Sequence, residues 1–175
     1  MEQKIFTNQQ VDLSTLPSAD DLHFTPLEKN YRRLQYIISV IVTVVVLIGL
    51  VILFWLVNIP TWIAVLICGF WIFIGLLILV FIKEGYTHKG YAVRARDLVY
   101  KTGWLYKKQV TVPFSRIQHV DIKQGVLERK YKLSNLNLYT AGGASSDLTI
   151  PGINIDDAKR FKSFILGVME SDEEE

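Results

Sequence analysis

The stretch TAGGASSDLTIPG, Thr140 to Gly152, carries paired glycines, two serines and an aspartate, the residue types of a phosphate cradle. A cradle aims backbone N–H groups at its anion, and it needs a helix N-terminus or a Lys-Ser/Thr pair behind the glycines. Neither follows here. LNLYT leads into the segment and LTIPG leads out of it, so the glycines equally suit a tight hairpin loop, whose backbone angles other residues resist. Both readings stand, with the hairpin the simpler.

Other reactive side chains lack the company their chemistry requires. Ser145, Ser146 and Asp147 with His119 supply the types of a hydrolase triad, but no nucleophile elbow accompanies them. His23, His88 and His119 stand at metal spacing from no second histidine, cysteine or carboxylate cluster, and Cys68 is the single cysteine. No catalytic residue, metal or cofactor is therefore expected, and the chain does not read as an enzyme.

The cations are more informative. Lys107 and Lys108 fall at a predicted hairpin tip, Arg129, Lys130 and Lys132 crowd the LERKYKL connection, and Arg116 precedes a predicted strand. The net charge of +2 conceals an asymmetry: residues 83–170 carry fifteen Lys/Arg against eight Asp/Glu, whereas the last five residues, SDEEE, are acidic. Facing an anionic membrane, each such cation gains about 1 kcal/mol. These six residues are candidate contacts for lipid or for a protein partner. No nucleic-acid recognition motif accompanies them, so nucleic acid is not an expected partner.

The elements that would position these side chains begin in an apolar block. Tyr36 to Ile82 contains no charged residue. Tyr36–Val57 and Thr61–Ile82 are each long enough, as helices of about 33 Å, to cross a bilayer core. The intervening NIP, with Pro60, predicts a tight turn and a transmembrane hairpin over residues 25–83. Lys29, Arg32 and Arg33 on one flank, and Lys83, Lys89, Arg94 and Arg96 on the other, predict both termini in the cytoplasm of a bacterial inner membrane. TPLE suggests a helix start, with Thr25 as cap and Glu28 closing a capping box. Trp71, mid-span, is expected to pack on the first helix, and Ala64 and Cys68 are small residues four apart that suit close helix approach. Residues 1–24 show no period and read as a flexible segment.

From residue 84 the pattern turns to short β-rich runs. Val110, Val112 and Phe114 alternate, as do Val120 with Ile122, Leu136 with Leu138, and Leu148 with Ile150, predicting six or seven antiparallel strands in a barrel or sandwich. GVLERKYKLSN suggests a short helical turn. Asn154 caps a terminal helix on which Ala158, Phe161, Phe164, Ile165, Val168 and Met169 form one apolar stripe. Residues 84–170 thus form the expected β domain with its capping helix, and residues 171–175 an acidic tail.

SRIQHVDIKQG, Ser115 to Gly125, and YTAGG, Tyr139 to Gly143, resemble the signature of the bacterial pleckstrin-homology-like family, and the order of anchor hairpin, β domain and helix resembles its YdbS-like branch. The matching positions are Arg116, Ile117, Gln118, Asp121, Gly125, Thr140, Ala141, Gly142 and Gly143. The resemblance implies an α+β membrane protein: two orthogonal antiparallel sheets closed by a C-terminal helix, and no known enzymatic activity. Its relatives often carry a glycine near Lys132, where this chain departs. A membrane protein partner, including a larger relative with several such domains, is implied beside the lipid bilayer, and self-assembly is compatible with the same reading. The expected function is a membrane-anchored interaction module that binds a protein, or alternatively an anionic lipid surface.

Overall fold

The computed structural model describes residues 22–140 and 148–173, with side chains as far as Val168. The expectations for residues 1–21, for Ala141, Gly142 and Gly143 with the serines behind them, and for the Met169 side chain lie outside the described residues.

Two long helices, α1 (Lys29–Val57) and α2 (Thr61–Thr87), account for the apolar block. Their side chains face outward along most of their length, as a helix pair surrounded by lipid requires. Asn58 ends α1 in the left-handed conformation, φ 52°, which asparagine tolerates, and Pro60 precedes α2. Gly75, the one buried residue of α2, packs tightly against α1: an added Cβ would lie 2.9 Å from Thr43 Cγ2. Trp71 does pack on α1, donating its Nε1–H to the Thr43 carbonyl at 3.1 Å.

TPLE does not open the helix. Thr25–Pro26 form a short strand, β1, that pairs antiparallel with β2 (Gly90–Val93), Thr25 facing Tyr91 and Pro26 facing Gly90. The helix begins three residues later, after Glu28, without a side-chain cap. Tertiary pairing overrides the local signal because the edge of β2 needs a partner and Leu27, 2% exposed, is drawn into the core.

Four strands form one sheet in the order β1-β2-β3-β4, with β3 Asp97–Thr102 and β4 Lys108–Pro113. After a 3₁₀ turn at Phe114–Arg116, the strands β5 (Ile117–Lys123), β6 (Leu133–Thr140) and β7 (Leu148–Asn154) form a second sheet. The helical turn expected in GVLERKYKLSN is α3 (Val126–Lys130), and α4 (Ile155–Glu173) closes the fold, running into the segment expected to be a tail. The result is a sandwich and not a closed barrel. Alternating residues from both sheets, Leu98, Tyr100, Val112, Val120, Leu136, Leu138 and Ile150 among them, meet Ala158 and Ile165 of α4 in one core. Asn154 Oδ1 accepts from the Asp156 N–H at 3.0 Å, capping α4 as its sequence predicts.

The chain ahead of α1 stitches the two sheets together. Thr25–Pro26 pair with β2, and the Glu28 N–H bonds the Gly152 carbonyl of β7 at 3.3 Å. Gly152 is in the left-handed region, φ 68°, and an added Cβ would press into Tyr31, 2.6 Å from its Cβ. Tyr86 Oη donates to the Leu27 carbonyl at 2.7 Å, and the Arg32 guanidinium lies 5.0 Å from the Tyr86 ring centroid. The division expected between residues 83 and 84 is thus crossed from both sides: α2 runs on to Thr87, and the segment before α1 belongs to the sandwich core.

Candidate functional site

The β3–β4 hairpin turns through Gly103, φ 99°, where any side chain would collide with the Tyr106 carbonyl. This turn throws three consecutive apolar residues outward. The Trp104 ring meets Phe81 of α2 edge to face, with centroids 5.6 Å apart. Leu105 and Tyr106 are 77% and 82% exposed. Lys107 follows, and Lys108 opens β4, both exposed.

On another side of the helix pair, α3 presents a second apolar tip. The Gly125 N–H donates to Glu128 Oε2 at 2.6 Å, and Asn135 Nδ2 donates to Glu128 Oε1 at 2.8 Å, pinning the first turn of α3 to β6. Val126, 87% exposed, and Leu127 are left pointing outward. They face Leu34, Gln35 and Ile38 of α1 and Ile82 of α2 across a cleft of about 630 Å³. Phe81 and Ile82 are consecutive, so both tips lie level with the last uncharged turn of α2, just before Lys83.

Eight large hydrophobic side chains are exposed among the described residues from Gly90 on, and five of them, Trp104, Leu105, Tyr106, Val126 and Leu127, sit on these two tips. Exposed apolar surface gathered in this way is characteristic of interaction sites.

The six cations divide. Lys107 and Lys108 adjoin the first tip. Lys130 and Lys132 line a smaller recess with Glu28 and Asn30. That pair, with the exposed Arg129 beside it, therefore adjoins the start of α1. Lys132 adopts φ 54°, so the bend before β6 is made in the left-handed region by a lysine. Arg116 is exposed on the 3₁₀ turn against which α4 packs, and joins neither tip.

The motif positions are not one surface. Ile117 is in the core, Gln118 is exposed, Asp121 lies 3.8 Å from Lys123 on the outer face of the second sheet, Gly125 leads into α3, and Thr140 ends β6. His119 is exposed beside Tyr139, their rings 5.7 Å apart. The residues missing from the sequence reading are Trp104, Leu105, Val126 and Leu127. For Trp104 and Leu105 the signal was an apolar run, WLY, inside a turn that otherwise breaks strands.

Burial holds the Lys89 amine below its usual range, and its ammonium lies 5.6 Å from the Tyr31 ring centroid. Tyr91 and Tyr100 are raised by burial; Asp157 and Glu28 add to the effect at Tyr91. These groups belong to the joint and the core.

A model described as the bacterial PH domain matches residues 36–169. The transmembrane protein YdbS of Bacillus subtilis (strain 168) is 32% identical over 135 residues, 76% of this chain and 82% of that protein. A crystal structure of a protein with a pleckstrin-homology domain from Shewanella loihica PV-4 is similar at 12% identity, with a TM-score of 0.39 over 48% of this chain and 73% of that one.

Proposed function

This chain belongs to the bacterial PH domain family, and from that premise we propose that it is a non-catalytic, membrane-anchored module whose domain docks on the lipid surface beside its own spans. The observation that carries this reading is the concentration of exposed apolar side chains on the two tips level with Phe81 and Ile82. An aromatic and leucine tip followed by two lysines suits the boundary between acyl chains and anionic headgroups. The contact is electrostatic and hydrophobic, with little choice among headgroups.

The pairing of β1, ahead of α1, with β2, after α2, supports a two-span hairpin with both flanks on one side. The lysines and arginines of those flanks support the cytoplasmic side of a bacterial inner membrane.

The test is depth-dependent quenching of Trp104 in the full chain, with Trp55, Trp62 and Trp71 replaced by phenylalanine. In vesicles rich in phosphatidylglycerol, lipids brominated near the glycerol should quench Trp104 strongly. Leu105→Ser with Tyr106→Ser should weaken that quenching, and Lys107→Gln with Lys108→Gln should make it salt-sensitive to a lesser degree. Emission typical of water, indifferent to brominated lipid, would remove lipid docking.

A second reading, binding of a protein partner such as a larger relative, is favoured by a separate groove of about 560 Å³ between β2 and α4. Val93, Arg160 and Phe164 stand along it, with Val93 and Phe164 exposed. Crosslinking in native membranes that is lost in Val93→Glu and Phe164→Ser, with Trp104 quenching intact, would assign that groove to a partner.

A further inference from the structure

We infer that the cleft between α3 and the helix pair is a binding site for one acyl chain of a membrane phospholipid. This rests on the lipid docking proposed above and adds to it a defined seat for a single lipid.

The cleft is amphiphilic along its length. Its deeper walls are Ile38, Ile82, Val126 and Leu127, apolar and continuous with the outward faces of the two spans. Ile38 and Ile82 belong to the uncharged block, so whatever fills the space between them and α3 enters from the hydrocarbon and must itself be apolar. At the other end Gln35 donates to the Tyr31 hydroxyl at 3.1 Å, a polar pair at the position of a lipid's glycerol esters. The volume, about 630 Å³, is that of an ordinary small-molecule site.

The cleft reads the chain and not the headgroup. Its one charged lining residue is Glu128, and both carboxylate oxygens already accept hydrogen bonds, from Gly125 and Asn135. Phosphatidylethanolamine and phosphatidylglycerol should therefore occupy it alike. Pinning Glu128 also fixes α3, so the wall carrying Val126 and Leu127 is preformed and pays little ordering entropy on binding.

The experiment uses the full chain in vesicles of phosphatidylethanolamine and phosphatidylglycerol, each in turn carrying a diazirine on the acyl chain near the ester. After irradiation and trypsin digestion, two peptides report separately: TGWLYK, Thr102–Lys107, from the hairpin tip, and QGVLER, Gln124–Arg129, from the cleft wall. Both should be labelled, by either lipid. Ile38→Trp, which fills the cleft from the opposite wall, should abolish labelling of QGVLER and leave TGWLYK unchanged. Labelled TGWLYK with bare QGVLER would sink the cleft site and leave surface docking standing, whereas neither peptide labelled would remove both. Labelling of QGVLER that survives Ile38→Trp would mean general immersion of α3 and would overturn the inference. If Ile38→Trp loses TGWLYK labelling too, the fold is disturbed, and Ile82→Trp on the neighbouring wall gives the decisive comparison.

Discussion

Gly152→Ala should be among the most damaging single-methyl changes in this protein, and its damage should depend on Tyr31. Two terms add. Alanine at φ 68° costs about 1–2 kcal/mol relative to glycine. The new methyl also falls against Tyr31, 2.6 Å from its Cβ and 2.5 Å from Cδ2, so the ring must leave its place on β7. Overpacking of that kind costs about 1–3 kcal/mol, and the sum is about 2–5 kcal/mol. In a Tyr31→Gly background, which removes the Cβ as well as the ring, the steric term vanishes and about 1–2 kcal/mol remains. The coupling energy of the double-mutant cycle should then be about 1–3 kcal/mol. Pulse proteolysis of the full chain in mild detergent, across a urea series, measures the unfolded fraction of the sandwich for all four proteins. Equal cost of Gly152→Ala in both backgrounds would mean that α1 does not rest on β7, and the joint described above would be wrong.

Other outcomes follow from the same geometry. Leu27→Ala, although it lies ahead of both spans, should destabilise the sandwich by about 2–5 kcal/mol in the same assay, as for any fully buried leucine. Gly75→Leu should force the spans apart at Thr43 and break the Trp71 hydrogen bond, seen as a change in Trp71 emission in a chain keeping only that tryptophan. Tyr91 and Tyr100 hold their protons more tightly folded than unfolded, so their contribution is complete below about pH 10 and is lost as pH rises through the raised folded values. The urea midpoint should fall through that alkaline window, and Tyr100→Phe should make the fall shallower. A cysteine at Asn58 in a Cys68→Ala chain should react with an impermeant maleimide on intact cells, and protection until lysis would contradict the orientation proposed.

Local periodicity was a good guide wherever an element's burial follows its own pattern. Both helices, the alternation of Leu136 with Leu138 and of Leu148 with Ile150, the short α3 and the Asn154 cap were all legible for that reason. What sequence spacing hides is pairing at a distance. TPLE has the composition of a helix start, yet β2, sixty-five residues on from Thr25 to Gly90, claims Thr25 and Pro26 as strand. Gly152 looked like part of a turn-rich segment, and only the position of Tyr31 explains it. Gly75 lay unremarked among large apolar residues while Ala64 and Cys68 drew attention by their spacing. For the candidate site, the lysines were visible as charges, but their grouping was not, because Lys130 and Lys132 line a recess with Glu28 and Asn30 whereas Lys107 and Lys108 follow the β3–β4 hairpin tip. The apolar tips were obscured by the habit of treating a turn as polar.

The β1–β2 pairing also bears on how the protein is made. The ribosome delivers Thr25 and Pro26 first, and their partners Tyr91 and Gly90 only after both apolar helices have been synthesised. Until then the slot for Leu27 is empty and the corner that Glu28 closes against Gly152 is open. A chain inserted with one span would leave β1 and β2 on opposite faces of the bilayer, and no rearrangement of the sandwich could rejoin them. Its edge strand would stay bare and its core unfilled, features by which membrane proteases and chaperones tell unfinished chains from finished ones. Under the two-span topology proposed above, completion of the sheet therefore reports that both helices have entered the membrane together, and quality control of insertion can read it from the folded state of the β domain.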